Sequence, residues 1–215
     1  MEDNFQKRIV SSFILIPIIF SFIIYGSYLF QLLLIVSFFI SVFEWYKMTK
    51  NKSYNIYGII FLILSFYSIY QIRMNENNSY EFFLIILIIC ISTDIGGYVF
   101  GKVLKGPKLI SYSPNKTIYG MVGSYLFSLS IVPIIIYFNL FDRDLDLLLI
   151  IFIILISTVS QVGDIIVSIF KRKSKIKDTG KIIPGHGGIL DRIDGMLFAF
   201  PFSYLVMFTN LFDKI

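Results

Sequence analysis

One cysteine, one histidine and one tryptophan in 215 residues exclude several ways of building a site. Cys90 alone closes no intramolecular disulfide, and with His186 far from it in sequence there is no set of thiolates and imidazoles to hold zinc. Charge is also scarce: Asp, Glu, Lys and Arg make up 15% of the chain, against about 25% in soluble domains. No internal repeat, coiled-coil heptad or disordered tract is visible, which argues against a repeat array or a fibrous protein.

Apolar side chains take the place of the missing charge. The chain is 56% hydrophobic and 18% aromatic, and its mean hydropathy is +0.78. A soluble core of this size cannot hide so much Leu, Ile and Phe. The runs Ile9 to Tyr25, Leu29 to Phe43, Phe82 to Ser92 and Leu145 to Val162 therefore read as helices crossing a bilayer, each needing about 20 mostly apolar residues. A second apolar run follows the first at once, with no small-residue cleavage site between them, so the first is expected to be retained rather than removed as a signal peptide.

Charged residues and turn formers predict seven helices, near 9–27, 29–46, 56–72, 82–100, 119–138, 146–170 and 193–212, with seven to nine spans as the range. The fold class expected is all-α, a polytopic transmembrane helix bundle forming a single integral-membrane domain over 1–215. Seven spans divide the connections into two sets. One set holds Lys7, Arg8, Lys47, Lys50, Lys52, Lys102, Lys105, Lys108, Lys116 and the basic stretch from Lys171 to Arg192, which is 16 of the 19 basic residues. The other holds only Arg73, Arg143 and Lys214 among several carboxylates. Positive loops stay inside, so the N-terminus is expected in the cytoplasm and the C-terminus outside it. The net charge of +5 is thereby explained as topology, and a nucleic-acid partner is not expected.

Four carboxylates stand where an ordinary membrane helix does not put them: Asp94, Asp164, Asp191 and Asp194. A charged side chain at a helix centre costs about 2.5–3.5 kcal/mol on insertion scales, so such residues point to function unless they merely reach water at a helix end. Spacings of four and seven place Asp164, Ser168 and Lys171 on one helical face. Asp191 and Asp194, three apart, share one side at the start of the last helix beside Arg192. Oxygen ligands of this kind suit Mg²⁺, which is held by one or two carboxylates together with substrate phosphates.

Between the two acidic clusters runs a lysine-rich stretch from Lys171 to Lys181, including Arg172 and Lys177, and then Pro184, Gly185, His186, Gly187 and Gly188. By charge count alone this is an ordinary positive-inside loop. The glycines add a backbone able to approach phosphates closely, and His186 between them is placed for a phosphate contact. The connection from 102 to 120 repeats the theme with Lys102, Lys105, Lys108, Ser113, Lys116 and Thr117. Two cationic, hydroxyl-rich loops on one side fit a site that holds a nucleotide and a lipid phosphate together.

The pattern Ser168-x-x-Lys171-Arg172-x4-Lys177-Asp178-x-Gly180-x3-Pro184-Gly185-His186-Gly187-Gly188-x-Leu190-Asp191-Arg192-x-Asp194 resembles the signature of phosphatidate cytidylyltransferases. Gly163-Asp164 and the segment from Asp94 to Gly120 are also similar, so the resemblance spans roughly 92–200. Two positions depart from it: Tyr119 stands where the family usually has Glu, and Lys102 where it has Arg. The resemblance implies a membrane enzyme that makes CDP-diacylglycerol from CTP and phosphatidic acid, with Mg²⁺ and room for a second metal ion. It implies Asp164, Asp191 and Asp194 as metal ligands, with Lys171 beside them in catalysis. Ser113, Lys116, Ser168, Arg172, Lys177, His186, Gly187, Arg192 and Asp94 would bind substrate. Membrane lipids are the surrounding partner, and a homodimer is compatible with it. Two other functions stay open on residues alone: a CTP-dependent kinase of a lipid alcohol, and an ion-coupled transporter built around Asp94 and Asp164.

Overall fold

A computed structural model describes residues 13, 17–74, 80–110, 113–138, 147–182, 187–207 and 209. The chain runs through α1, described over 17–25, then α2 (Ser27–Thr49), α3 (Asn55–Met74), α4 (Tyr80–Leu104), α5 (Ile118–Leu129), α6 (Val132–Tyr137), α7 (Leu147–Lys173), α8 (Leu190–Ile193) and α9 (Met196–Met207). Each expected helix has a counterpart, but 119–138 is divided into α5 and α6, with Pro133 at the start of the second piece, and the last helix is preceded by the separate short α8. Among the described residues five segments are long and apolar enough to cross a bilayer: α2, α3, α4, α5 with α6 as Ile118–Tyr137, and α7. The expected spans 9–27 and 193–212 run into residues outside those described, as do Lys7, Arg8, Arg143 and Lys214.

The exposed side chains of the long helices are mostly Leu, Ile, Val, Phe and Tyr, such as Leu32, Phe39, Phe43, Ile60 and Leu126, which is the surface a bilayer wets. With lipid outside, apolar burial drives helix association weakly, and close approach and interhelical hydrogen bonds carry more of it. Gly96 of α4 and Gly123 of α5 let these two helices touch: a Cβ at Gly123 would lie 2.4 Å from the Phe100 Cβ and 2.8 Å from the Gly96 carbonyl oxygen. Hydroxyls tie the neighbours. Thr93 donates to Ser157 Oγ of α7 (2.9 Å) and accepts, through its carbonyl, from Ser124 Oγ of α5 (2.8 Å). Ser65 of α3 donates to the Leu197 carbonyl of α9 (2.8 Å). Gly123→Ala is expected to lower stability by about 1–3 kcal/mol through overpacking, seen as a lower melting temperature of the detergent-solubilised protein.

One element was not expected. The segment 102–120, read from sequence as a cationic loop, contains an antiparallel hairpin of β1 (Lys108–Ile110) and β2 (Ser113–Thr117), pairing Lys108 with Thr117 and Ile110 with Ser113. Strands this short show no alternation for a sequence pattern to reveal. The hairpin ends where Thr117 caps α5, its Oγ1 accepting from Gly120 N at 3.0 Å. It thereby places Lys116 beside Asp164 of α7.

Candidate active site

The ends of α4, α5, α7 and the α8–α9 corner enclose a cavity of about 370 Å³. Asp94, Asp164, Asp178, Asp191 and Asp194 line it, facing Lys116, Lys171 and Arg192, with Thr93, Ser124 and Gln161 also in its wall. Of the carboxylates expected from sequence, all four open onto this one space.

Helix α7 supplies the central face. Asp164 accepts from Ser168 Oγ at 3.4 Å, one turn on, and pairs with Lys116 of the hairpin at 2.5 Å. One further turn along the same face, Lys171 reaches Asp191 at 3.0 Å and Asp194 at 3.7 Å. These three side chains are only 12%, 5% and 11% exposed, so the ammonium neutralises two carboxylates that water hardly reaches. Asp194 also accepts from Gly195 N at 3.0 Å. Burial pushes the Asp194 carboxyl well above the ordinary carboxylate range. The charge of Asp164 pushes the same way, Lys171 opposes it, Asp94 adds to it and Lys116 subtracts.

Asp191 is used differently from its neighbour. Its Oδ1 takes the Lys171 ammonium, while its Oδ2 accepts the backbone N–H of Thr179 (2.8 Å) and of Gly188 (3.0 Å). Both oxygens are thus engaged within the protein. Among the described residues no three His, Cys, Asp or Glu side chains form a group that could hold a metal ion unaided. The cavity's carboxylates fit a hard divalent cation with mostly water and phosphate ligands: Asp164 and Asp194 each have one oxygen held only by a lysine, Lys116 or Lys171, whose charge a cation can replace, and Asp94 lines the same space.

Several expected binding residues lie elsewhere. Arg172 is exposed and its Nη1 donates to the Ile176 carbonyl at 3.2 Å, closing the end of α7, because one residue past Lys171 turns a side chain some 100° around the helix. Lys177 is exposed on the connecting strap, and neither it nor Ser113 at the start of β2 lines the cavity. Gly187 has φ +90° and sits against Asp191, where a Cβ would approach Oδ2 to 3.0 Å. His186, with Pro184 and Gly185, lies outside the described residues. Of the two departures, Lys102 donates to Tyr98 OH at 3.3 Å and lies over that ring, and Tyr119 packs against Gly106.

The fold brings in four residues to which sequence reasoning gives no role: Asp178, present in the motif, and Gln161 and Thr93 in the cavity wall, and Glu44 of α2. Glu44 is a carboxylate inside an apolar helix, the same signal that marks Asp94 and Asp164. Its nearness to Lys47 and Lys50 makes it look like a helix-end charge, yet it is 1% exposed.

The chain matches the cytidylyltransferase family over residues 6–80 and 58–210. It is similar to the phosphatidate cytidylyltransferase of Rickettsia bellii, 34% identical over 215 residues, which covers 95% of this chain and 91% of that protein. It is 37% identical over 158 residues to the phosphatidate cytidylyltransferase of Staphylococcus saprophyticus, covering 73% of this chain and 59% of the relative. With that of Staphylococcus haemolyticus the identity is 43% over 116 residues, covering 54% of this chain and 44% of the relative. The two staphylococcal matches thus span about half the length of those relatives.

Proposed function

Because the chain belongs to the cytidylyltransferase family, we propose that it joins the phosphate of phosphatidic acid to the α-phosphorus of CTP, releasing pyrophosphate and leaving CDP-diacylglycerol in the membrane. The observation that carries this is the single cavity in which Asp94, Asp164 and Asp194 face Lys116, Lys171 and Arg192 at one end of a multi-pass membrane bundle. Acidic groups alone repel phosphates and basic groups alone fail to hold a metal. Interleaved, they accept two phosphate substrates and a divalent cation together. The location suits the substrates, since a soluble nucleotide arrives from water while the lipid headgroup enters sideways from the leaflet. The lysine-rich end is proposed to face the cytoplasm, where positive loops are retained.

In this reaction a phosphate oxygen of the lipid forms a bond to the α-phosphorus as the bond from that phosphorus to the bridging β-phosphate oxygen breaks. The nucleophile is already an anion, so no side chain has to remove a proton, and the protein contributes position and charge. Asp164 and Asp194, with Asp94 beside them, would hold Mg²⁺, which when bound supplies positive charge to the phosphate oxygens and the departing pyrophosphate. Lys116 and Arg192, both in the cavity lining, bind the phosphate groups. Lys171 keeps Asp191 and Asp194 oriented. Asp191, whose Oδ2 is committed to two backbone N–H groups, holds the strap in place.

Label on the α-phosphate of CTP distinguishes this from a lipid-alcohol kinase. In membranes containing the protein and phosphatidic acid, α-label is expected to enter the lipid and γ-label to leave with pyrophosphate. Chelation of divalent ions should stop transfer, and Mg²⁺ should restore it. Transfer of γ-label to lipid with α-label left in CDP would establish the kinase instead.

A further inference from the structure

The strap joining α7 to α8 leaves and returns through one narrow neck. Thr179 on the way out and Gly188 on the way back both give their N–H to Asp191 Oδ2. Beneath the neck lies Glu44, projecting from α2. Its Oε2 accepts from Thr179 Oγ1 (3.0 Å) and Leu190 N (2.9 Å), and its Oε1 from Ile189 N (3.1 Å). The neck rests directly on this carboxylate, for a Cβ on Gly180 or Gly188 would come within 2.3 or 2.4 Å of a Glu44 oxygen. Alongside, the Trp45 ring meets Phe170 of α7 edge-on at 5.2 Å, and its Nε1 donates to the Asn55 carbonyl, which locks the end of α2 against α3 and α7.

A buried carboxylate is an expensive way to fill space in a membrane bundle, where an apolar side chain packs without desolvating a charge. Glu44 lines no part of the cavity, yet its three donors all belong to the segment that carries Asp178, Asp191 and Arg192 into it. We infer that Glu44 is a positioning residue for nucleotide binding: it holds the neck of the strap closed, so that the wall bearing Asp178, Asp191 and Arg192 is already in place when CTP arrives. The inference rests on the reaction proposed above for its substrate, but the clamp itself does not.

Gln at position 44 offers one acceptor and a donor amide to three donors aimed at two oxygens, so part of the clamp is lost without loss of volume. In proteoliposomes, Glu44→Gln is expected to raise KM for CTP about tenfold and Thr179→Val about threefold, with the double variant no worse than Glu44→Gln alone because both remove the same clamp. KM for phosphatidic acid should stay within about twofold of wild type. A purely structural role would lower the amount of active enzyme and leave KM for CTP where it was. Unchanged KM in both single variants, or fully additive effects in the double variant, overturns the inference. If Glu44→Gln does not accumulate, Thr179→Val must raise KM while Thr179→Ser, which keeps the hydroxyl, must not. Wild-type protein that makes no CDP-diacylglycerol refutes the proposed reaction instead. The clamp is then judged by trypsin cleavage at the exposed Lys175, Lys177 and Lys181, which must quicken severalfold in Thr179→Val; equal rates overturn it.

Discussion

Asp194→Asn lowers incorporation of α-labelled CTP into lipid by about 10²–10³-fold, the scale seen when one preorganised electrostatic group is removed from a site of transfer at phosphorus or carbon. Asparagine keeps the shape of the side chain and an oxygen to accept from Gly195 N. It loses only the negative charge. That charge sits buried near Asp164 and Asp94, which repel it. Lys171, which attracts it, keeps the closer partner Asp191 when the charge is gone, so the folded protein gives up little. Melting of the solubilised variant should therefore fall by no more than a few degrees while activity collapses. Activity near the wild-type rate would remove Asp194 from the metal-facing set. A matching collapse in stability would mean that Asp194 serves the fold instead.

Lys171→Met has the larger effect on the fold. The ammonium is the partner of Asp191 at 3.0 Å and of Asp194 at 3.7 Å, in a place where all three side chains are nearly inaccessible. Removing one member of a buried ionic group strands the others, at a cost of about 3–5 kcal/mol, because the remaining carboxylates must stay desolvated without a counter-charge. Asp191 would then hold the strap neck while carrying an uncompensated charge. Both a drop in melting temperature and an activity loss of about 10²-fold or more are expected. Adding Asp194→Asn to Lys171→Met should recover part of the stability and none of the activity. Recovery is the signature of relieved repulsion, and it is measured as a coupling between the two substitutions. A Lys171→Met protein that melts like wild type would show that the ion pairs are dispensable.

These two variants separate roles that look alike in sequence. Asp191 and Asp194 are three residues apart and were expected to act as a matched pair of ligands. They do converge on Lys171, as the i to i+3 spacing implies. Their other oxygens meet different surroundings: two backbone N–H groups of the strap at Asp191, and at Asp194 only its neighbour's Gly195 N–H, with the repulsive charges of Asp164 and Asp94 nearby. Spacing along a helix says which side chains share a face. It does not say what comes to that face from elsewhere in the chain.

What the sequence determined by itself is whatever depends on near neighbours and on the solvent. Apolar runs bounded by charge located the helices, since a bilayer admits little else. The 3.6-residue period placed Asp164, Ser168 and Lys171 in line, and the motif spanning Ser168 to Asp194 pointed to the family. Tertiary structure alone decided the pairing of Lys116 with Asp164 through a hairpin that leaves no periodic trace. It alone set Arg172 aside to close its own helix, and it alone joined Glu44 to Leu190 across 146 residues of chain. Helix formation is settled within a few turns, whereas a clamp between the second helix and a distant strap exists only once packing has brought two remote segments within hydrogen-bond reach.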